Sequence, residues 1–183
     1  MSSNRITMIL ATAVAFGCSE NAVAPIAQSD FPTLQASVGS RVVHRASVGG
    51  PDACFSFVAG KPGCDANFSM IALERADSSV TGEWQDQFAQ FPGFGGAGIH
   101  VAVNCLVVVG NQAWVSGVIT ASRIPGVVGL GAVTTVVDNG RSANDPADEI
   151  SLSFIDTGLD CVAASGIPGI PLFAAPQGQV VVQ

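Results

Sequence analysis

Tyrosine is absent from this chain of 183 residues, and charged residues make up only 11% of it. Seven basic residues face 14 acidic ones, which leaves a formal net charge of −7 at pH 7. Apart from Arg41 and Arg45 the basic residues are scattered singly, whereas a nucleic-acid-binding protein needs a basic patch. The composition therefore excludes nucleic acid as a partner. The shortage of charge also argues against a helical bundle, because the outer faces of such a bundle are polar.

Turn residues and short apolar runs are abundant instead, with 21 glycines and 10 prolines in a chain that is 48% hydrophobic. In three segments the residues at even positions and those at odd positions form two sets of different composition, as expected if each set lies on one face of a strand. These segments are Phe68–Arg75, Val80–Phe88 and Ile150–Phe154. The period of two predicts half-buried strands. Further strands are predicted at Val38–Ala46, Ser56–Ala59, Gly98–Val109, Ala113–Ala121, Val133–Val137 and Gln179–Gln183.

The predicted strands are joined mostly to their neighbours, and the clearest hairpin turns at Gly110-Asn111-Gln112. Eight or nine short strands in this order predict an all-β antiparallel meander. A sheet of that many strands twists until it closes or splits into two layers. We therefore expect a small β-barrel, closed or nearly closed, with a β-sandwich as the alternative.

The N-terminus has the features of an export signal. Arg5 precedes an apolar run from Ile6 to Phe16, which is too short to cross a bilayer as a helix. Ala15-Phe16-Gly17-Cys18 resembles the lipobox of bacterial lipoproteins, and this resemblance implies that Cys18 becomes the lipidated N-terminus. Cleavage after Ala24 is the alternative and would yield a secreted soluble protein.

The predicted organisation follows from this leader. It is a signal peptide over residues 1–17, a lipidated tether over residues 18–36, rich in Ala, Pro, Ser and Gln, and a single β domain over residues 37–183. We expect the protein in the bacterial cell envelope, held to a membrane by its N-terminal lipid.

The five cysteines agree with an exported lipoprotein. Without the lipidated Cys18 an even set remains, as is typical of disulfides in an oxidising compartment: Cys54, Cys64, Cys105 and Cys161. Four cysteines allow three pairings. We favour Cys54–Cys64, whose segment contains Gly60, Pro62 and Gly63 and can turn back on itself, together with Cys105–Cys161. No pair of cysteines has the short spacing of a zinc site.

A ten-residue motif covers the predicted hairpin. From Cys105 to Trp114 the chain reads Cys-Leu-Val-Val-Val-Gly-Asn-Gln-Ala-Trp, and Asp138-Asn139-Gly140 follows. This order resembles a group of uncharacterised bacterial secreted proteins and lipoproteins, in which a Cys-Leu-x-Val-x-Gly-Asn-x-Ala-Trp hairpin precedes an Asp-Asn-Gly loop. The resemblance covers roughly the second half of the chain. It implies a shared fold and export, and no activity.

The loop that follows is rich in oxygen donors, the ligands that calcium prefers. The candidate calcium ligands are Asp138, Asn139, Asn144, Asp145 and Asp148. Their spacing departs from the EF-hand pattern. The alternative is a polar hairpin loop with Asn139-Gly140 as its turn. No other cofactor is indicated.

A cluster of aromatic residues forms a second candidate site. Trp84, Phe88, Phe91 and Phe94 are candidates for the rim of an apolar ligand cavity at the mouth of a barrel. The alternative is that they fold inward as part of the core. Trp114 is also expected to pack inward, near the Cys105–Cys161 bridge, unless it contacts a surface partner.

Catalytic constellations are scarce. The nucleophile motif Gly-x-Ser-x-Gly does not occur, and His44 and His100 have no evident partner in the sequence. Glu74 and Glu83 flank a turn and could approach each other as paired carboxylates, although two solvated strand residues are the simpler interpretation. No catalytic residue is assigned.

Two functions therefore compete, with a hydrolase third. The first is a lipid-anchored barrel that binds a small apolar molecule. The second is a structural or protein-interaction domain at the cell surface without a ligand cavity. An internal cavity of roughly 300 Å³ or more favours the first, and a filled core favours the second.

Overall fold

A computed structural model describes residues 40–51, 67–88, 97–142, 144–175 and 178–183. All of these belong to Gly39–Gln183, one of the two compact units into which the chain divides. Several predictions lie outside the described residues: the signal peptide and tether, the strand at Ser56–Ala59, and Cys18, Cys54, Cys64, Phe91 and Phe94.

The described residues form ten strands and one short helix. They are β1 (Val42–Pro51), β2 (Asn67–Arg75), β3 (Val80–Phe88), β4 (Ala97–Val109), β5 (Gln112–Ser122), β6 (Gly131–Val137), β7 (Glu149–Ile150), β8 (Phe154–Ile155), α1 (Cys161–Ser165), β9 (Phe173–Ala174) and β10 (Gln179–Val182). The helix is not long enough to cross a membrane, and no helix in the described part of the chain is.

The strands make one antiparallel sheet, in the order β10-β1-β2-β3-β4-β5-β6-β7-β9, with β8 paired to β6 beside this path. Strands β1 to β7 are neighbours in sequence order, which is the predicted meander. The sheet curls through 283° and stays open as a half-barrel. The fold class is therefore confirmed as a nearly closed barrel, and a single curled sheet leaves no place for the sandwich alternative.

Glycine permits two close approaches between neighbouring strands in the middle of the sheet. Gly82 and Gly117 lie opposite Val103, one on each side of β4. A Cβ at Gly117 would overlap the carbonyl oxygen of Ala102, and a Cβ at Gly82 would overlap that of Ile71. Gly82 also has a φ of +155°, which side chains rarely allow. The close approach of β3 to β2 therefore requires glycine at Gly82, and that of β5 to β4 requires it at Gly117.

Alternating side chains fill the concave face. Phe68, Met70 and Ala72 of β2 are buried and their neighbours Ser69 and Ile71 are exposed, as the alternation predicts. The same holds for β3, where Trp84 is fully buried and stacks on Phe68 with the ring centroids 6.4 Å apart. We call the buried set on this face the interior cluster: Ala46, Val48, Phe68, Met70, Ala72, Trp84, Ile99, Val101, Val103, Leu106, Ala113, Val115, Ile119, Ala132, Val136, Ile150, Ala175 and Val180.

Two aspartates accept hydrogen bonds from the edge of β10 that does not pair with β1. Arg45 and Gln183 exchange both of their backbone hydrogen bonds, so alternation points the N–H groups of Val180 and Val182 away from β1. Val180 N–H donates to Asp148 Oδ2 at 2.7 Å and Val182 N–H donates to Asp138 Oδ2 at 3.1 Å. We call these four residues the seam, because they join β10 to the loop after β6.

Candidate functional site

Helix α1 lies on the convex side of the sheet. A local N-cap and contacts with residues distant in sequence hold it there. Asp160 caps it, since its Oδ1 accepts the N–H of Ala163 at 2.8 Å. The N–H of Cys161 is donated to Ser116 Oγ on β5 at 3.0 Å. A disulfide joins Cys161 to Cys105 of β4, with a Cα separation of 5.8 Å. This is one of the two predicted bridges, and it is confirmed.

A second apolar cluster lies beneath this helix. Trp114, Val133, Cys161 and Ala164 are buried together, and Cys105, Val107, Phe154, Leu159 and Ile170 pack against them; we call this the outer cluster. Trp114 is therefore buried beside the Cys105–Cys161 bridge, as expected. It is on the convex face, however, so the expectation that it fills the barrel is wrong. The reason is strand alternation: Ala113 and Val115 take the inner face of β5.

An apolar recess of about 230 Å³ opens beside the outer cluster; we call it the outer groove. Strands β6 and β8 supply one wall, and the chain around α1 supplies the other. Its apolar lining is Val133, Phe154, Leu159, Ala164, Ile167, Gly169, Ile170 and Pro171. Ile167, at 40% exposure, lies where the groove meets solvent.

The polar residues of the lining are three threonines, Thr134, Thr135 and Thr157. The hydroxyl of Thr134 is hydrogen-bonded to Ser151 Oγ at 3.3 Å, and alternation places it on the inner face of β6 with the side chains of the interior cluster. None of the described residues that line the groove is ionisable. Because an uncompensated charge is costly in such surroundings, the groove suits an uncharged apolar group.

A larger recess, of about 540 Å³, lies at the ends of β3, β4 and β5. Its polar lining consists of Gln85, Asp86, Gln87, His100, Ser122 and Arg123. Residues 89–96, which separate β3 from β4 in the sequence, lie outside the described residues. Asp86 is buried and accepts a hydrogen bond from Ser153 at 2.5 Å, so it ties β3 to the chain before β8.

Two of the four aromatic residues predicted to form the rim of a cavity, Trp84 and Phe88, are described by the structure. Trp84 belongs to the interior cluster, and its indole N–H has no acceptor among the described residues. Phe88 is half-buried and packs against the same cluster. These positions agree with the alternative of inward packing for the two described members.

The carboxylates of the three aspartates among the candidate calcium ligands accept hydrogen bonds from backbone N–H groups. Asp148 accepts from Asn139 N–H at 2.8 Å as well as from Val180, and Asp138 accepts from Gly140 as well as from Val182. Asp145 accepts from Ser142 N–H at 2.7 Å, and Asn144 donates its N–H to Ser142 Oγ. Within the described ranges no three His, Cys, Asp or Glu side chains are grouped closely enough to hold a metal ion. These contacts favour the polar hairpin loop over a calcium site.

The paired-carboxylate arrangement of Glu74 and Glu83 is not formed. Glu83 lies opposite Ile71, three residues before Glu74, so alternation places the two carboxylates on opposite faces of the ladder. Glu74 instead contacts His44, whose Nδ1 lies 2.8 Å from Glu74 Oε2. His44 thus has a partner that the sequence did not indicate, because the contact joins residues 30 positions apart.

The outer groove was not predicted, although one local signal pointed to its helix. Asp160 followed by Cys-Val-Ala-Ala is an N-cap followed by residues compatible with a helix. Comparison with known proteins adds no further candidate: no protein-family model, no curated protein and no solved structure matches the chain.

Proposed function

We propose that this chain is an envelope protein, anchored through a lipid on Cys18, whose folded domain binds a small apolar molecule in the outer groove. The observation that carries the proposal is the groove itself, an apolar recess of about 230 Å³ without an ionisable described residue in its lining. The concave face is filled by the interior cluster, so the proposal places the ligand outside the barrel and not in the internal cavity expected from the sequence. By the same cavity criterion the filled interior supports the second function, and the outer groove is what favours the first.

The volume of the outer groove limits the size of the ligand that it can hold. Pockets for drug-sized ligands measure about 300–1,000 Å³, and the outer groove is smaller. A cavity of about 150 Å³ is enough for benzene in a well-studied engineered protein. The groove therefore accommodates one aromatic ring or a short branched hydrocarbon, either as a whole ligand or as the apolar end of a longer one.

The exposed surroundings of the groove support entry from solvent. Ile167, which lines the groove, is 40% exposed at its edge, so the groove is open to solvent there.

Titration of the protein with toluene, followed by NMR, tests the proposal. We expect saturable binding by wild type and an affinity about tenfold lower for Ile167→Trp, whose indole would cover the groove, a difference of roughly 1.4 kcal/mol. Val162→Trp adds the same side chain on the exposed side of α1, outside the groove, and should bind like wild type.

Absence of saturable binding by wild type would reject the ligand-binding function. The second function, a structural or protein-interaction domain at the cell surface, would then be the better account. Equal binding by Ile167→Trp and Val162→Trp would show that toluene binds somewhere other than the outer groove.

A further inference from the structure

Helix α1 walls the outer groove but is too short to be stable alone. It has five residues, and isolated helices below about 12–15 residues are marginal in water. The Cys105–Cys161 disulfide is its covalent tie to the sheet. Besides this bridge, the hydrogen bond from Cys161 to Ser116 joins its first turn to β5.

The groove depends on that tie for one of its walls. Leu159, Ala164 and Ile170 come from the chain around α1, and Val133 and Phe154 come from the sheet. The interior cluster contains no described residue between positions 156 and 172. Release of α1 would therefore remove a wall of the groove and leave the packing of the concave face in place.

We propose that the Cys105–Cys161 disulfide is a redox latch for the outer groove, and this inference rests on the proposed ligand-binding function. In the oxidised protein α1 is held against β4 and β5 and the groove is complete. In the reduced protein the segment around α1 opens locally, and the groove loses its affinity for small apolar molecules. Local opening of this kind needs less free energy than global unfolding.

The reaction is thiol–disulfide exchange with a dithiol reductant. Cys105 is half-buried and Cys161 is fully buried, so attack occurs at Cys105 Sγ. The thiolate of the reductant forms a bond to this sulfur, the bond between the two cysteines breaks, and the electron pair leaves on Cys161, which takes up a proton. The second thiol of the reductant then displaces Cys105 as a thiol, and the reductant leaves as a disulfide. Two electrons pass from the reductant to the bridge.

Two measurements on the full-length protein test the latch. The first is hydrogen exchange of the Ala164 and Ile167 amides, which donate to Asp160 and Ala164 in the folded state. We expect their exchange to accelerate at least about tenfold in Cys161→Ala or after treatment with a dithiol, while Val101 and Val115 of the interior cluster stay protected. The second is toluene binding, which we expect to weaken at least about tenfold in the same samples.

A matched control removes the other predicted bridge. The double variant Cys54→Ser/Cys64→Ser keeps the latch, so its groove should bind toluene as wild type does, and a dithiol should weaken that binding at least about tenfold, as in wild type.

The outcomes separate the two proposals. Failure of the oxidised wild type to bind toluene would overturn the proposed function, and the latch as a regulator of ligand binding would fall with it. Equal toluene binding before and after reduction would overturn the latch and leave the proposed function standing. Accelerated exchange at Val101 and Val115 together with Ala164 would also overturn the latch, because it would mean global unfolding.

Discussion

Asp77 forms the turn between β2 and β3 through its carboxylate. Its Oδ1 accepts the hydroxyl of Ser79 at 2.6 Å and the N–H of Ser79 at 3.0 Å. Side-chain and backbone hydrogen bonds from Ser79 lower the pKa of Asp77 from 3.8 to about 2. The ionised form is thus the one that the turn stabilises.

Acid titration checks this arrangement. Because the pKa of Asp77 is lowered on folding, its stabilising effect is complete above about pH 3.8 and is lost as the pH falls through about 2. We expect the NMR signal of its carboxyl carbon to titrate near pH 2 in wild type and closer to 3.8 in Ser79→Ala. A midpoint near 3.8 in both proteins would contradict the hydrogen-bonded turn.

Trp114 carries the largest apolar surface of the outer cluster. It is 9% exposed, so Trp114→Ala should lower the free energy of unfolding by about 3–5 kcal/mol. Val118 lies on the same face of β5 but is 40% exposed, and Val118→Ala should cost about 0.5 kcal/mol. Urea denaturation of both variants measures the difference. Equal costs would show that α1 does not cover Trp114.

At the scale of elements, the strands were the most predictable part of the molecule. The predicted bounds of Val80–Phe88 agree with β3, because each polar and apolar position there has a defined face. The five-residue alternation Ile150–Phe154 was interpreted as one strand, and this is wrong. The pairing breaks at Ser151, whose Oγ accepts the N–H of Thr135 at 2.9 Å. Here a side-chain oxygen replaces the backbone carbonyl of a neighbouring strand as the hydrogen-bond acceptor. The alternation of side chains in the sequence does not reveal such a replacement.

The turns and the helix show a similar limit. The loop between β4 and β5 has two residues, Gly110 and Asn111, instead of the predicted three. Gly110 has a φ of +62°, as the first position of a type II′ turn requires. Helix α1 was missed because five residues are too few for a periodic signal, and its place depends on Cys105 and Ser116, both distant in sequence.

We expect substitutions in the seam to weaken the attachment of β10 to the loop after β6 in particular. Asp148→Ala would leave the N–H groups of Val180 and Asn139 without acceptors, at a cost of about 2–5 kcal/mol. Asp148→Asn keeps one oxygen acceptor and should cost less. The control Asp145→Ala removes an exposed contact to Ser142 N–H and should cost about 1 kcal/mol or less.

Thermal and urea denaturation of this series would rank the variants, and hydrogen exchange at Val180 would locate the effect. If Asp148→Ala were as stable as Asp145→Ala, the aspartates would not hold β10 in place.

At the scale of the whole molecule, the proposed location in the cell envelope rests on the sequence of residues 1–36. The lipobox-like Gly17-Cys18 predicts that wild type fractionates with membranes and that Cys18→Ser does not. Mass spectrometry should show an acyl modification on wild type and none on Cys18→Ser. A variant that stays membrane-bound, together with a wild type that lacks the acyl mass, would reject the anchor. Cys105→Ser retains Cys18 and serves as the control, because its acyl modification and its fractionation should not change.

The proposed binding site lies on the convex side of the sheet, and the location of a bound ligand tests this proposal most directly. Alternation and composition predicted an all-β barrel, but the same inference placed the ligand inside it. The groove lies between Val133 and Phe154 of the sheet and the chain around α1. Cys105 and Ser116, on the outer face of the sheet, hold α1 in that position.

The decisive measurement is a set of intermolecular nuclear Overhauser effects between toluene and the methyl groups of the protein. We expect contacts to Val133, Leu159 and Ile170 of the outer groove. Contacts to Val115 and Ile119 of the interior cluster instead, or contacts to no methyl group at all, would contradict the account.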